Sequence, residues 1–227
     1  FVIANTYAPN PAIRAAAFSA LPNVSSPSVI QQLLAMLKTA NSTQEIAPVQ
    51  QALIAITGPE TAPTILQAAA DQKARLLPVL PYIKDKQSLQ TVRTSFEQGQ
   101  TEEKELAFAA LINWQNGDAV PLLLSVLRQG SKLYHGRAFS AYVRQTMATD
   151  WPAEQKLLKL REVFPLAATV DEKKLILREA GGIRTFLSFV FVSSWLDDAE
   201  LGPTASRSTM RLTLPTRLSM GTKPIVG

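Results

Sequence analysis

The chain has 227 residues, 46% of them hydrophobic and 7% aromatic, enough apolar material for one ordinary core or for an elongated stack of elements. Its net charge of +5 is modest and unevenly placed: residues 1–70 carry only Arg14, Lys38, Glu45 and Glu60, whereas residues 151–227 hold 11 Lys/Arg against 8 Asp/Glu. This falls short of the dense basic stripe that drives non-specific nucleic-acid binding, and the lack of cysteine excludes disulfides, thiolate metal sites and a cysteine nucleophile.

The chain opens at Phe1 without an initiator Met and without a basic segment leading into an apolar one, so it reads as a trimmed or mature protein. Apolar residues then recur with helical period. Ile13, Ala16, Ala17, Ala20 and Leu21 form the face of a first helix, and Pro27 opens a second in which Ile30, Leu33, Leu34 and Leu37 fall at i, i+3, i+4 and i+7. The second pair has Ile46, Val49, Leu53 and Ile56, a turn containing Gly58 and Pro59, then Ala62, Ile65, Leu66 and Ala69. A third pair sets Leu76, Leu80 and Ile83 before Leu89, Val92 and Phe96, with Asp85 as the cap between them.

The clearest pair spans residues 102–127. Leu106, Ala107, Ala110, Leu111 and Trp114 line one helix face, residues 115–118 (Gln-Asn-Gly-Asp) make the turn, and Val120, Leu123, Leu124 and Leu127 line the next, with Pro121 in its first turn. A fifth pair runs from about Lys132 through Ala138, Ala141, Tyr142 and Met147 to Ala153, Leu157, Leu160 and Phe164, with Asp150 as the expected cap and Pro152 as an early helical proline. The sixth starts near Asp171, the expected cap of its first helix, breaks at Gly181 and Gly182, and continues through Ile183, Phe186, Leu187 and Val190. Residues 186–196 form the longest apolar run, interrupted by Ser188, Ser193 and Ser194 and too short to span a bilayer, and are expected to be a buried helix. A terminal helix follows Asp197 or Pro203, and residues 214–227 read as an irregular tail or linker.

The first apolar residues of the second helices are Ile30, Ala62, Leu89, Val120, Ala153 and Ile183, spaced 32, 27, 31, 33 and 30 residues apart. Three of the turns, from Ile56 to Ala62, Ile83 to Leu89 and Trp114 to Val120, have equal length. A period near thirty predicts an all-α stack of about six helix pairs plus a terminal helix, occupying residues 1–213, in which each pair hides its apolar side only against the next.

Two sets of residues carry a resemblance to HEAT-like repeats of the short, thirty-residue kind. One is the Ala-rich first helix ending in Leu, as at residues 16–21 and 107–111. The other is the Gly-Asp-Ala-Val-Pro-Leu-Leu-Leu run at residues 117–124, with weaker echoes at residues 26–33 and 58–66. The resemblance covers residues 10 to about 213 and implies a right-handed α-α superhelix, a fold that hosts scaffolds, adaptors and a few enzymes. The chain lacks the regular Asp/Arg pair that many such repeats carry, which implies an irregular stack. Residues 195–201 (Trp-Leu-Asp-Asp-Ala-Glu-Leu) also resemble a turn in the helical repeats of large exported bacterial proteins, where such repeats sit beside a sugar-active β-sandwich domain. That second resemblance implies a periplasmic or exported setting rather than a cytoplasmic one.

Chemistry-bearing residues are sparse. His135 is the only histidine, so a multi-histidine metal site is excluded, and beside Tyr134 and Gly136 it reads as an exposed or capping residue. Glu102, Glu103 and Glu105 stand at a helix start, where the macrodipole favours carboxylates, and diverge too much for paired-acid hydrolysis. Asp197 and Asp198 lack the companions of a cation site, and Gly181 and Gly182 lack the strand and lysine of a phosphate loop. Trp114, Trp151 and Trp195 sit near helix ends, where burial with the indole N–H on a turn carbonyl is the ordinary role.

Among the cations, Lys156 and Lys159 share a second helix, Arg161, Lys173, Lys174, Arg178 and Arg184 follow, and the earlier second helices offer only Lys38, Arg93 and Arg128. Lys156, Lys159, Arg128 and Arg93 are the candidate interaction residues. The sequence therefore reads as a non-enzymatic scaffold without cofactor or metal, presenting a concave surface to a protein partner or to an adjacent domain of a longer chain. The alternatives are an accessory helical domain of a sugar-active envelope protein and a HEAT-like nucleic-acid binder. No membrane span is expected, and oligomeric state stays open.

Overall fold

The computed structural model describes residues 1–214, which form fifteen α-helices and three short 3-10 segments with no strand. The chain is all-α, as the helical period predicts. It divides into two compact units, Phe1–Thr149 and Asp150–Gly227. Leu214 is the only described residue of the expected tail; residues 215–227 lie outside the described part.

The first unit holds α1 (Val2–Asn5), α2 (Pro11–Val24), α3 (Ile30–Thr39), α4 (Thr43–Ala55), α5 (Ala62–Ala68), α6 (Lys73–Leu76), α7 (Leu80–Ile83), α8 (Lys86–Gln98), α9 (Thr101–Ile112), α10 (Val120–Arg128) and α11 (His135–Ala148). Several boundaries follow from local chemistry. Asn10 caps α2 by accepting the Ala12 N–H at 2.9 Å, next to Pro11 at the first helical position. Asp85 caps α8 through the Ser88 N–H at 2.6 Å, as expected. In the turn before α5, the buried Thr61 hydroxyl donates to the Ile56 carbonyl at 2.8 Å and accepts from the Gly58 N–H at 2.9 Å. In the turn before α10, Asn116 Oδ1 accepts the Asp118 N–H at 3.1 Å and Asn116 Nδ2 reaches the Lys84 carbonyl in the corresponding turn of the preceding pair, at 3.5 Å.

One expectation needs correction here. The first helix of the third pair is not continuous: it is split into α6 and α7 around Pro78, whose missing N–H and ring deny a continuous ladder. Lys84 then closes α7 in the left-handed region at φ 62°. The closest backbone approaches, moreover, are not within the hairpins read from sequence. The most extensive backbone contacts are α2 with α4, which joins the first helices of two successive pairs, and α8 with α9 and α10 with α11, which each join a second helix to the first helix of the following pair. Small buried residues permit this: Ser88 and Ser95 on α8, Ala107 and Ala110 on α9, Ala138 and Ala141 on α11, Ala17 on α2 and Ala52 on α4.

Long-range hydrogen bonds tie these layers together. Arg75 on α6 donates to the Leu37 carbonyl and, at 2.7 Å, to that of Ala40, which satisfies the open C-terminal end of α3. Gln50 on α4 donates to the Arg75 carbonyl at 2.7 Å. On α11, Gln145 Nε2 donates to the carbonyls of Leu111 and Ile112 at 2.9 and 3.3 Å, and Arg144 also reaches the Ile112 carbonyl, closing the end of α9. Around them Leu33, Leu37, Leu53, Phe108, Leu111 and Tyr142 are fully buried.

The second unit contains α12 (Ala153–Val163), α13 (Val170–Ala180), α14 (Phe186–Ser193) and α15 (Gly202–Thr213), with α15 against both α13 and α14. Neither expected aspartate caps a helix. α12 begins after Pro152, which holds the cap position itself, so Asp150 is displaced from it. α13 is capped by Thr169, whose Oγ1 accepts the Glu172 N–H at 3.2 Å, while Glu172 Oε2 accepts the Thr169 N–H at 3.3 Å; Asp171 lies inside the first turn. Gly181 ends α13 against α15, where a Cβ would lie 2.6 Å from Ser208 Cβ.

Thr169→Ala is expected to lower the stability of the second unit by about 1 kcal/mol, the usual worth of an N-cap. Asp150→Ala should change it by less than about 0.5 kcal/mol. Urea unfolding of the two variants checks the assignment, and the reverse ranking would refute it.

Candidate functional site

α14 departs most from expectation. It was expected to be buried, yet Phe186, Leu187 and Val190 are 77%, 50% and 46% exposed, and Leu196 just beyond it 42%. Phe186 and Val190 fall at i and i+4 with Leu187 between them, so the three share one outward face. The inward face is carried by Ser188 and Val192, both fully buried. Thr185 caps the helix by accepting the Ser188 N–H at 3.1 Å, and its hydroxyl lies 2.9 Å from that of Ser188. The serine that looked like an interruption of an apolar run therefore sits on the packed side.

The rest of α14 is held by aromatic contact. Phe191 meets Phe164 edge-on with ring centroids 5.5 Å apart, Phe164 lies 4.8 Å from the Trp195 ring, and the Arg161 guanidinium stands 5.9 Å from the Phe191 centroid. α14 thus presents three large apolar side chains from a backbone fixed on its other side.

The four cations singled out from sequence fall in two places. Lys156 and Lys159 lie one turn apart on α12 in the second unit, while Arg93 on α8 and Arg128 in the last turn of α10 belong to the first. Two of them have local carboxylates: Arg93 Nε lies 2.8 Å from Glu97 and Lys159 Nζ 2.9 Å from Glu162.

The remaining candidates take structural roles. Glu103 pairs with Lys73 at 3.5 Å, and His135 opens α11 with its ring 5.9 Å from that of Phe139. Asp198 Oδ1 accepts the N–H groups of Glu200 and Leu201 at 2.9 and 2.8 Å, and these bonds hold its carboxyl below the ordinary carboxylate range. Among the described residues no group of three or more His, Cys, Asp or Glu is placed to hold a metal ion. Trp114 is buried as expected, but its indole N–H reaches no turn carbonyl and has no hydrogen-bond partner, and the same holds for the indole N–H of Trp195. No helix among the described residues is long and apolar enough to cross a membrane.

A second cluster, which sequence reasoning missed, lies between α8, α9 and the start of α11. Tyr134 lies with its ring centroid 5.4 Å from that of Phe96 and 4.5 Å from that of Phe108; Lys104 stands 5.9 Å from the Phe96 ring and Arg137 4.7 Å from that of Phe108. Glu105 completes the cluster, 3.5 Å from Arg137 and accepting the Tyr134 hydroxyl. The only trace of it in sequence is the i, i+1 placement of Lys104 with Glu105, because the aromatics come from three separate helices.

No family model matches this chain, and no curated protein matches it significantly.

Burial, and next the hydrogen bond to Glu105, raise the Tyr134 phenol above its ordinary value of 10.0, with Arg137 pulling the other way. The fold thus favours the neutral phenol, so its contribution is complete below the unfolded value and lost as pH rises through the raised folded one. Glu105→Ala should move the Tyr134 transition in the tyrosinate absorbance titration to lower pH. Tyr134→Phe should remove it. A transition unmoved by Glu105→Ala would refute the link.

Proposed function

We propose that this chain is a non-enzymatic interaction scaffold built from HEAT-like repeats, and that a protein partner or a neighbouring domain of a longer chain seats on α14. The observation that carries the reading is the outward row of Phe186, Leu187 and Val190 on a helix anchored through Ser188, Val192 and Phe191. Three exposed large apolar side chains on one rigid face match the anchors that dominate protein interfaces. Because the backbone beneath them is already ordered, association loses little further conformational entropy.

The repeat reading is supported by the interval at which the first unit binds itself. Gln72 to Leu34, Arg75 to Leu37 and Ala40, Asn116 to Lys84, Arg144 to Ile112 and Gln145 to Leu111 are side-chain-to-carbonyl bonds spanning 32 to 38 residues. That is close to the period of the apolar pattern, as expected of modules that close one another's exposed ends along a stack. The four candidate cations are not the anchor of this reading, and the local carboxylates at Arg93 and Lys159 count against a phosphate-tracking role.

The test is site-specific photo-crosslinking of the full chain in the cells that make it, with p-benzoylphenylalanine at position 187 or, as a control, at the exposed position 155 on α12. A discrete adduct is expected from position 187 only. The double variant Phe186→Ser, Val190→Ser should reduce it at least about tenfold, because each buried anchor is worth about 1.5–3 kcal/mol. Identical patterns from the two positions, or an adduct indifferent to the double variant, would refute the reading.

A further inference from the structure

The geometry points to a second recognition element in the first unit: a cleft between α2 and α4 that takes the carboxylate of an acidic side chain on a partner peptide, with Arg14 as its anchor. The inference rests on the scaffold reading for the peptide nature of the ligand, and adds the chemistry of one segment of it.

Arg14 is the only charged side chain in the first 37 residues. It is half-buried, and among the described residues its guanidinium has no hydrogen bond, ion pair or ring contact. A guanidinium is a planar five-donor fork that grips a carboxylate with two parallel bonds, and at Arg14 those donors are uncommitted among the described residues. Arg14 also stands where a ligand can reach it. It lines two adjacent cavities, one of about 590 Å³ between α2 and α4 and one of about 410 Å³ bounded by α2, α3 and the start of α4. Those volumes are in the range of pockets that hold small ligands or a few residues of peptide.

The walls select the class of ligand. Phe18, only 9% exposed, borders both cavities and offers an apolar surface to the methylene stem of a glutamate or aspartate. Ser19, Ser42 and Thr43 line the larger cavity with hydroxyls suited to a peptide backbone. Glu45 also borders both cavities. It is not within ion-pair distance of Arg14, and its Oε2 accepts the Asn41 N–H at 3.2 Å. Glu45 offsets part of the Arg14 field for any incoming anion, so the preference for a Glu side chain over inorganic phosphate comes from its methylene stem against Phe18 and its backbone against the hydroxyls, which phosphate lacks.

The experiment is a titration of the ¹⁵N-labelled full chain with acetyl-Ala-Glu-Ala-amide, with the Gln peptide in its place, and with inorganic phosphate. It follows the Arg14 side-chain N–H and the backbone amides of Ser19 and Thr43. Saturable shifts are expected with the Glu peptide, with the Gln peptide and phosphate at least about fivefold weaker. Arg14→Gln should abolish the shifts while leaving amide resonances outside α2 and α4 in place. Glu45→Gln should tighten binding by about threefold by removing the opposing charge. Absence of saturable shifts, equal affinity for the Glu and Gln peptides, preference for phosphate, shifts that survive Arg14→Gln, or weakening by Glu45→Gln would each overturn the assignment. Cross-linking from position 187 reads a different unit of the chain, so either reading can fall without the other.

Discussion

A helix of ten to fourteen residues is marginal by itself in water, and its last four carbonyls have no partner within it. In the first unit α3 and α9 meet both deficits through other helices. Leu33 and Leu37 of α3 are covered, and the end of the same helix is closed by Arg75. Phe108 and Leu111 of α9 are covered, and Gln145 and Arg144 close its end. In both cases the closing side chains come from a helix later in the chain, α6 for α3 and α11 for α9.

Against that background two places have something left over. On α14 the surplus is apolar: three large side chains stay in water although their helix is well anchored. Beside α2 the surplus is a guanidinium with no hydrogen bond or ion pair among the described residues, at the wall of two cavities. The two differ in what they offer a partner. Broad apolar contact supplies most of the free energy of association, whereas an arginine fork supplies orientation and discrimination.

The class of the fold was legible because helical period is a local signal, and the starts of α3 at Ile30 and α10 at Val120 fall where the apolar pattern put them. The cap at Asp85 was legible for the same reason, with no competitor nearby. At α13 two capping types stood close together, and the choice went to Thr169 because Glu172 three residues on returns the bond; Asp171 has no such partner. The face of α14 could not be read from a run of Phe, Leu and Val in which nearly every position is apolar. Only Ser188, placed against Thr185, marked the packed side. The Tyr134 cluster and the reach of Arg75 and Gln145 join residues far apart in sequence and leave no local pattern. The four cations were legible as residues, but the carboxylates beside Arg93 and Lys159 gained meaning only once their geometry was known.

The proline break between α6 and α7 has a mechanical meaning. Each piece is a single turn, too short for a ladder of internal bonds, and the segment is fastened from outside by Gln50 on the Arg75 carbonyl and by Arg75 on the end of α3. Pro22 and Pro48 lie inside α2 and α4 without dividing them, whereas the break at Pro78 leaves a jointed rod. With Leu76, Leu77, Val79 and Leu80 fully buried as well, the joint is held by core packing and by those polar clasps together.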